Sequence, residues 1–302
     1  MASKFRSLGI GIGIALAIII LLVIAAVSYS GIGVTCKVGS GGLPLSVSNF
    51  SAVPQPVVED ATALATELFG DRQEKCNDFV SRLLAIYSAA KDKDFVVVFN
   101  RGGWGYKSVK TTSGWYSILT GIKTELAGWG YTSLLLEHLR TDEGLPECLN
   151  ELVERTTGYP SKARDLALRL EFLTNHIPDL KVIVAGESYG TVICDRVMNI
   201  LEDNLQVYSI QTGPSFWNKN IILDRTLVLT SNGIILDSYS EGYYWAIVWG
   251  NLMCWLHLSQ PVDDFGTPSH YVGAPGHDYW WQYPWVRSQI TNFLTHNFKG
   301  GS

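Results

Sequence analysis

The sequence predicts an α/β fold: a mostly parallel open sheet with helices on both faces, preceded by an N-terminal transmembrane helix. Three observations carry this. Runs of β-branched and aromatic residues alternate with amphipathic helical patterns from Phe95 to Phe298. A Gly-x-Ser-x-Gly string, Gly186-Glu187-Ser188-Tyr189-Gly190, stands between one such run and an apolar helix start. An uncharged apolar stretch from Leu8 to Val27 opens the chain.

That stretch is 20 residues long, which at about 1.5 Å per residue is roughly 30 Å of helix and matches a bilayer core. Lys4 and Arg6 precede it, so the positive-inside rule places the amino terminus in the cytoplasm and the rest of the chain outside. Residues 1–30 are therefore read as an uncleaved signal anchor. Secretion after cleavage is the alternative, because Ser28-Tyr29-Ser30 offers small residues at a possible cut. Residues 31–56 are rich in Gly, Ser, Pro and Val without helical period, and read as a stalk. Residues 57–299 then form one domain.

Two amphipathic helices open that domain, Val58 to Phe69 and about Arg72 to Ala90. Phe95 to Phe99 is a continuous apolar run, the pattern of a strand buried on both faces in a parallel sheet. A helix over about Gly114 to Ala127 leads to a second strand, Thr132 to Leu136. The helix from about Ser161 to His176 ends before Pro178 and precedes a third strand, Lys181 to Ala185. Gln206 to Ile210 and Thr226 to Thr230 follow, then a short last strand at Ser269 to Val272 and a final helix.

Composition excludes several functions. The 302 residues carry 23 Lys plus Arg against 28 Asp plus Glu, a net charge of -5, so no basic field attracts nucleic acid. The five cysteines form no CxxC or metal-ligand spacing, and no cofactor motif is present. Charged residues make up only 17%, and seven of the ten tryptophans lie from Trp217 onward.

The chemistry is expected at Ser188. A tight strand-to-helix turn needs Gly186 and Gly190 because the two backbones approach closely around a residue in a strained conformation, which lifts the serine hydroxyl above the sheet edge. A serine nucleophile needs a base, and His277 lies in a loop between the last strand and the last helix. His270 is second. His176, His257 and His296 sit in helices and read as packing or surface residues. Negative charge developing on a tetrahedral intermediate needs backbone amide donors; Tyr189, following the nucleophile, is one, and Gly103 with its neighbour Gly102, in the Gly-rich loop after Phe95 to Phe99, supplies the other.

The acid is assigned to Asp237, which follows the strand at Thr226 to Thr230 and so belongs at the carboxyl end of the sheet, where open α/β sheets form their sites. Its competing role is the cap of a helix starting near Ser238. Asp263 and Asp264, in the loop before the last strand, are the alternatives; Asp224 precedes its strand, and Asp278 adjoins His277 on a diverging backbone.

With the strand–Gly-x-Ser-x-Gly–helix unit, the Gly-rich loop and the terminal histidine in this order, residues 95–299 resemble the α/β-hydrolase superfamily. The resemblance implies a serine esterase or lipase-like hydrolase that forms an acyl-enzyme on carboxylic esters or thioesters, with Ser188, Asp237 and His277 as its triad and a small-molecule ester or acyl substrate. It also implies a lid or acyl-pocket wall near Tyr239 to Leu258, an aromatic segment read first as core. Two features depart from the family: Arg101 stands where esterases place a histidine, and no hairpin pattern precedes Phe95. Gly-Glu-Ser-Tyr-Gly also resembles serine carboxypeptidases, which makes a peptidase the second reading. A noncatalytic hydrolase-fold scaffold is the third.

Overall fold

The structure is a computed structural model that describes residues 35–38, 50–102, 113–139, 151, 154–218, 223–255 and 274–299. The expected span in residues 1–30, the short strand at Ser269 to Val272, and Gly103, Asp263, Asp264 and His270 lie outside the described residues. Among the described residues no helix is long and apolar enough to cross a membrane.

Among the described residues six strands form one sheet: β1 (Thr35–Val38), β2 (Phe95–Asn100), β3 (Ser133–Leu139), β4 (Lys181–Glu187), β5 (Val207–Thr212) and β6 (Thr226–Leu229), in the spatial order β1-β3-β2-β4-β5-β6. All neighbours pair in parallel except β1, which runs antiparallel to β3. The helices are α1 (Gln55–Phe69), α2 (Gln73–Ala90), α3 (Ser113–Gly128), α4 (Pro160–His176), α5 (Gly190–Ile200), α6 (Tyr244–Trp255) and α7 (Pro284–Phe298).

Strand periodicity sorts the core into two layers. Val96, Val98, Val182 and Val184 pack with α1, α2, α4 and α5 on one face; Phe95, Val97, Phe99, Ile183 and Ala185 pack with α3 and α7 on the other. Because crossovers between parallel strands keep one hand, connections that move in opposite directions from β2 and β4 place their helices on opposite faces. The order therefore reverses between β2 and β4. Ligand crevices of doubly wound sheets open at that reversal, beyond the strands' carboxyl ends. Register sets those ends level, with Asn100 beside Gly186 and Glu187 beside Thr212.

Three expectations need correction. The segment read as a stalk contributes β1, with Thr35 opposite Leu139 and Val38 opposite Leu136. Val53 from the same segment is buried in the core and Phe50 packs against it, so the packed body begins before Val57. The helix expected near Ser238 begins instead at Tyr244, after a turn that Asp237 holds. A single antiparallel strand thus borders the sheet even though no hairpin pattern announces it.

Candidate active site

Ser188 occupies the turn from β4 into α5 with φ at 51°, one of two non-glycine residues with positive φ among those described. An L-residue held there is strained by about 1–2 kcal/mol. Surrounding contacts hold it. Its amide donates to the Thr212 carbonyl at 3.0 Å, while its carbonyl accepts from the Thr191 amide at 3.0 Å and the Thr191 hydroxyl at 2.7 Å. A Cβ on Gly190 would stand 2.0 Å from the Asn100 carbonyl oxygen, and one on Gly186 would stand 2.5 Å from the Cys194 Sγ. Both glycines of the motif are therefore required by the approach of β2 and α5.

The loop after β2 closes on the same serine. Gly102 is buried, and a Cβ there would meet the Ser188 Cβ at 2.9 Å and the Glu187 Cγ at 3.0 Å. Only a backbone without a side chain reaches this position. Tyr189 heads α5, where the first amides of a helix lack intrahelical acceptors and carry the positive end of its dipole.

Asp237 and His277 come from elements forty residues apart in the chain and meet at 2.8 Å, His277 Nδ1 to Asp237 Oδ2. The route of Asp237 explains why it comes late after its strand. Residues 231–236 loop out and return: Ser231 pairs with Leu236, and the Asp237 amide donates to the Thr230 carbonyl at 3.2 Å. The Asn232 side-chain oxygen accepts the Ile234 and Ile235 amides at 2.9 and 3.1 Å and holds the excursion. Asp237 thus sits just beyond β6 although the turn that follows the strand contains no acid.

Capping and pairing are divided between its two oxygens. Oδ1 accepts the Tyr239 amide at 2.9 Å and the Ser240 amide at 3.2 Å; Oδ2 faces His277 and accepts the Tyr279 hydroxyl at 2.8 Å and the Ser240 hydroxyl at 3.1 Å. The carboxylate is fully buried, whereas the His277 side chain keeps 20% of its surface exposed. Burial acts to raise the Asp237 carboxyl, but the hydrogen bond and charge of His277, with Tyr279 and the Ser240 amide, outweigh it and hold the group below its ordinary value of 3.8. Burial first, then the Asp237 charge, pushes the Tyr279 phenol well above its ordinary range, so its hydroxyl stays a donor.

Gly213 joins the serine to this pair. Its φ is +59°, and a Cβ there would lie 2.6 Å from His277 Cε1, 2.8 Å from Nδ1 and 2.9 Å from Asp237 Oδ2. The preceding carbonyl, that of Thr212, receives the Ser188 amide. One peptide at the end of β5 therefore touches the serine backbone on one side and the imidazole on the other. Gly276 (φ +78°) similarly lets the loop before His277 pass over Leu236, whose carbonyl oxygen would lie 2.4 Å from a Cβ.

Aromatic rings line one side. Tyr239 stands over His277 at 4.8 Å between centroids, Trp217 lies 5.5 Å from Tyr239 and 5.3 Å from Tyr189, and the Arg155 guanidinium stacks 3.1 Å above the Tyr189 ring. The Tyr239 hydroxyl is 2.9 Å from Ser215 Oγ, and burial raises its phenol far above the ordinary range.

The structure brings Ser188, Tyr189, Gly102, Asp237 and His277 to one edge of the sheet; Gly103 lies outside the described residues. Asp278 points elsewhere, accepting from Asn232 Nδ2 and the Tyr283 hydroxyl. His176 is the last residue of α4 and is held by Asp60 and the Phe172 carbonyl. Sequence reasoning missed Gly213 and Tyr279. Tyr279 stands two residues after His277 and reaches the same Asp237 oxygen, while Asp278 between them turns to Asn232. Among the described residues no three His, Cys, Asp or Glu side chains gather to hold a metal.

No family model matches the chain, and no curated protein matches it. Among solved structures it is similar to the Trichoderma reesei cutinase in complex with a phosphonate inhibitor, at 13% identity, over 65% of this chain and 81% of that one, with a TM-score of 0.34.

Proposed function

We propose that this chain is a serine hydrolase that cleaves carboxylic esters or thioesters through an acyl-enzyme. In the same reading residues 1–30 anchor it to a membrane, with the sheet domain outside the cytoplasm. One observation carries the proposal: a serine strained at φ 51° shares the Thr212–Gly213 peptide with an imidazole already bonded to a buried carboxylate.

With Nδ1–H donating to Asp237, the His277 tautomer is set and Nε2 is the basic nitrogen. Nε2 takes the Ser188 hydroxyl proton as Oγ attacks the substrate carbonyl carbon, and the carbonyl electron pair moves onto its oxygen. The amides of Tyr189 and of the loop at Gly102 and Gly103 receive that oxyanion, each donor contributing about 2.7–4 kcal/mol. Collapse expels the alcohol or thiol, which His277 protonates; water then repeats the sequence against the acyl-enzyme and frees the acid. Tyr189, Trp217 and Tyr239 form an apolar wall beside the reacting centre, suited to an acyl or aromatic ester group. No cofactor enters any step.

The test is labelling by a fluorophosphonate together with turnover of short p-nitrophenyl esters. Wild type is expected to do both, and Ser188→Ala to lose both while keeping its melting temperature. Folded wild-type protein that never labels overturns the enzyme reading and leaves a scaffold. Release of carboxy-terminal residues from peptides in acid, without ester turnover, favours the carboxypeptidase reading.

A further inference from the structure

We infer that the domain rests on the bilayer through the exposed apolar face of α6, so that its site opens towards membrane-resident acyl esters. The substrate class rests on the hydrolase reading; the docking does not. Trp245, Val248, Trp249 and Leu252 recur at i, i+3, i+4 and i+7 and so share one side of α6, and all four are exposed, Trp245 at 84% and Trp249 at 62%. A helical stripe of this kind belongs against a core. Together the four expose on the order of 500 Å² of side chain, near the top of the range for the largest apolar patch on a monomer. No residue of α6 carries a charge.

The stripe is continuous with the site. Tyr244, at the start of α6, meets Phe216 at 5.0 Å; Phe216 meets Trp217 at 4.5 Å; and Trp217 reaches Tyr189 beside the serine. On the other flank Ile234, Ile235 and Leu236, all exposed, run directly into Asp237.

The occupant follows from how the chain enters the sheet. Thr35 pairs with Leu139, the carboxyl end of β3, so the antiparallel β1 begins at the same edge that carries Ser188, Asp237 and His277. Eight steps of chain separate Thr35 from Val27, the end of the apolar run, a reach of at most about 28 Å. A bilayer holding that run thus lies within reach of the sheet's carboxyl edge. Trp and Tyr are the side chains that favour the membrane–water interface. The chain is acidic, at -5, so the attraction is apolar and needs no anionic lipid.

The experiment uses the full chain in phosphatidylcholine vesicles with brominated or unbrominated acyl chains. No tryptophan precedes Trp104, so tryptophan quenching by bromine reports the body of the protein and never the anchor. The variant Val248→Asp/Leu252→Asp keeps every tryptophan and places charge on the stripe; Leu205→Asp, exposed ahead of β5 at the opposite edge of the sheet, is the control. Wild type and control are expected to be quenched, and the stripe variant to lose at least about half of that quenching. Its turnover of an acyl ester dissolved in the vesicles is expected to fall about tenfold, with p-nitrophenyl acetate turnover within about twofold of wild type. Quenching that is absent in wild type, or unchanged in the stripe variant, overturns the docking. If wild type instead runs as a dimer in detergent that the stripe variant dissociates, a second copy covers the face and the inference fails. If quenching behaves as stated and wild type hydrolyses neither ester, the docking stands and the hydrolase reading falls.

Discussion

Replacing Gly213 by alanine tests the candidate site without touching any group that reacts. The new Cβ would stand 2.6 Å from His277 Cε1 and 2.9 Å from Asp237 Oδ2. Carbon atoms settle at about 3.5–4.0 Å, so the imidazole must retreat by about 1 Å, and the 2.8 Å bond between Nδ1 and Oδ2 cannot survive at its present length. Misplacement of that size costs about 10²-fold in rate. Backbone strain adds about 1–2 kcal/mol because alanine is forced to φ +59°, which for a body of this length lowers the melting temperature by roughly 2–8 °C. Gly70→Ala separates the two effects: Gly70 has φ +58°, and nothing lies within 4 Å of its added Cβ. Both variants carry the backbone strain and Gly213→Ala is expected to lose further stability from the clash, but only Gly213→Ala to lose about 10²-fold in kcat on p-nitrophenyl acetate. Equal turnover in the two variants refutes the claim that contact between Gly213 and the His277–Asp237 pair sets the rate.

Asp237→Asn is expected to lower kcat by about 10⁴, the effect of removing the acid from a serine-protease triad, whereas Asp264→Asn leaves it unchanged; the reverse result moves the acid to Asp264. Since the folded Asp237 carboxyl lies below 3.8, its charge stabilises the fold above that pH and the contribution is lost as pH falls through the lower folded value. The difference in melting temperature between wild type and Asp237→Asn should therefore hold steady above about pH 5 and shrink below about pH 4. Tyr279→Phe removes one of the donors that lower this carboxyl, and should move that acid transition to higher pH with a loss in kcat of about tenfold or less. A chain beginning at Val57 lacks β1 and Val53 and is expected to melt lower than one beginning at Gly31, by at least the roughly 1.5–3 kcal/mol of one buried valine; equal melting curves would show that β1 adds nothing.

How much of this was readable in advance depended on the range of the physics behind each feature. Among the parallel strands β2 and β4 announced themselves most plainly, because burial on both faces demands an unbroken apolar run, as in Phe95 to Phe99, wherever the strand pairs. The strand Thr35–Val38 did not. It is four residues long, sits in a Gly- and Ser-rich stretch, and is defined by partners a hundred residues away at Leu136 to Leu139. Exposure of α6 was equally hidden, since a helix apolar on all sides has no polar face to show which way it turns, and composition favoured a core reading.

The glycines separate the two ranges most sharply. Gly186 could be read because the chain near Ser188 itself demands it, a Cβ there meeting Cys194 and Gly190 of the departing helix; Gly190 is read from the same five-residue string, although the Asn100 carbonyl that crowds it comes from β2. Gly213 and Gly130 look alike to a sequence reader, each a glycine after an ordered element, and both adopt positive φ. A Cβ on Gly130 meets nothing within 4 Å, whereas one on Gly213 meets both the imidazole and the carboxylate. Backbone conformation alone therefore does not mark a glycine of the site. What marks it is a neighbour brought in across the sheet, and the side chains that meet at Gly213 arrive from beyond β6 and from the loop before α7. The serine could be located from five consecutive residues because its motif is local; the peptide that lies between it and His277 became visible only once three separate strand ends had been set level.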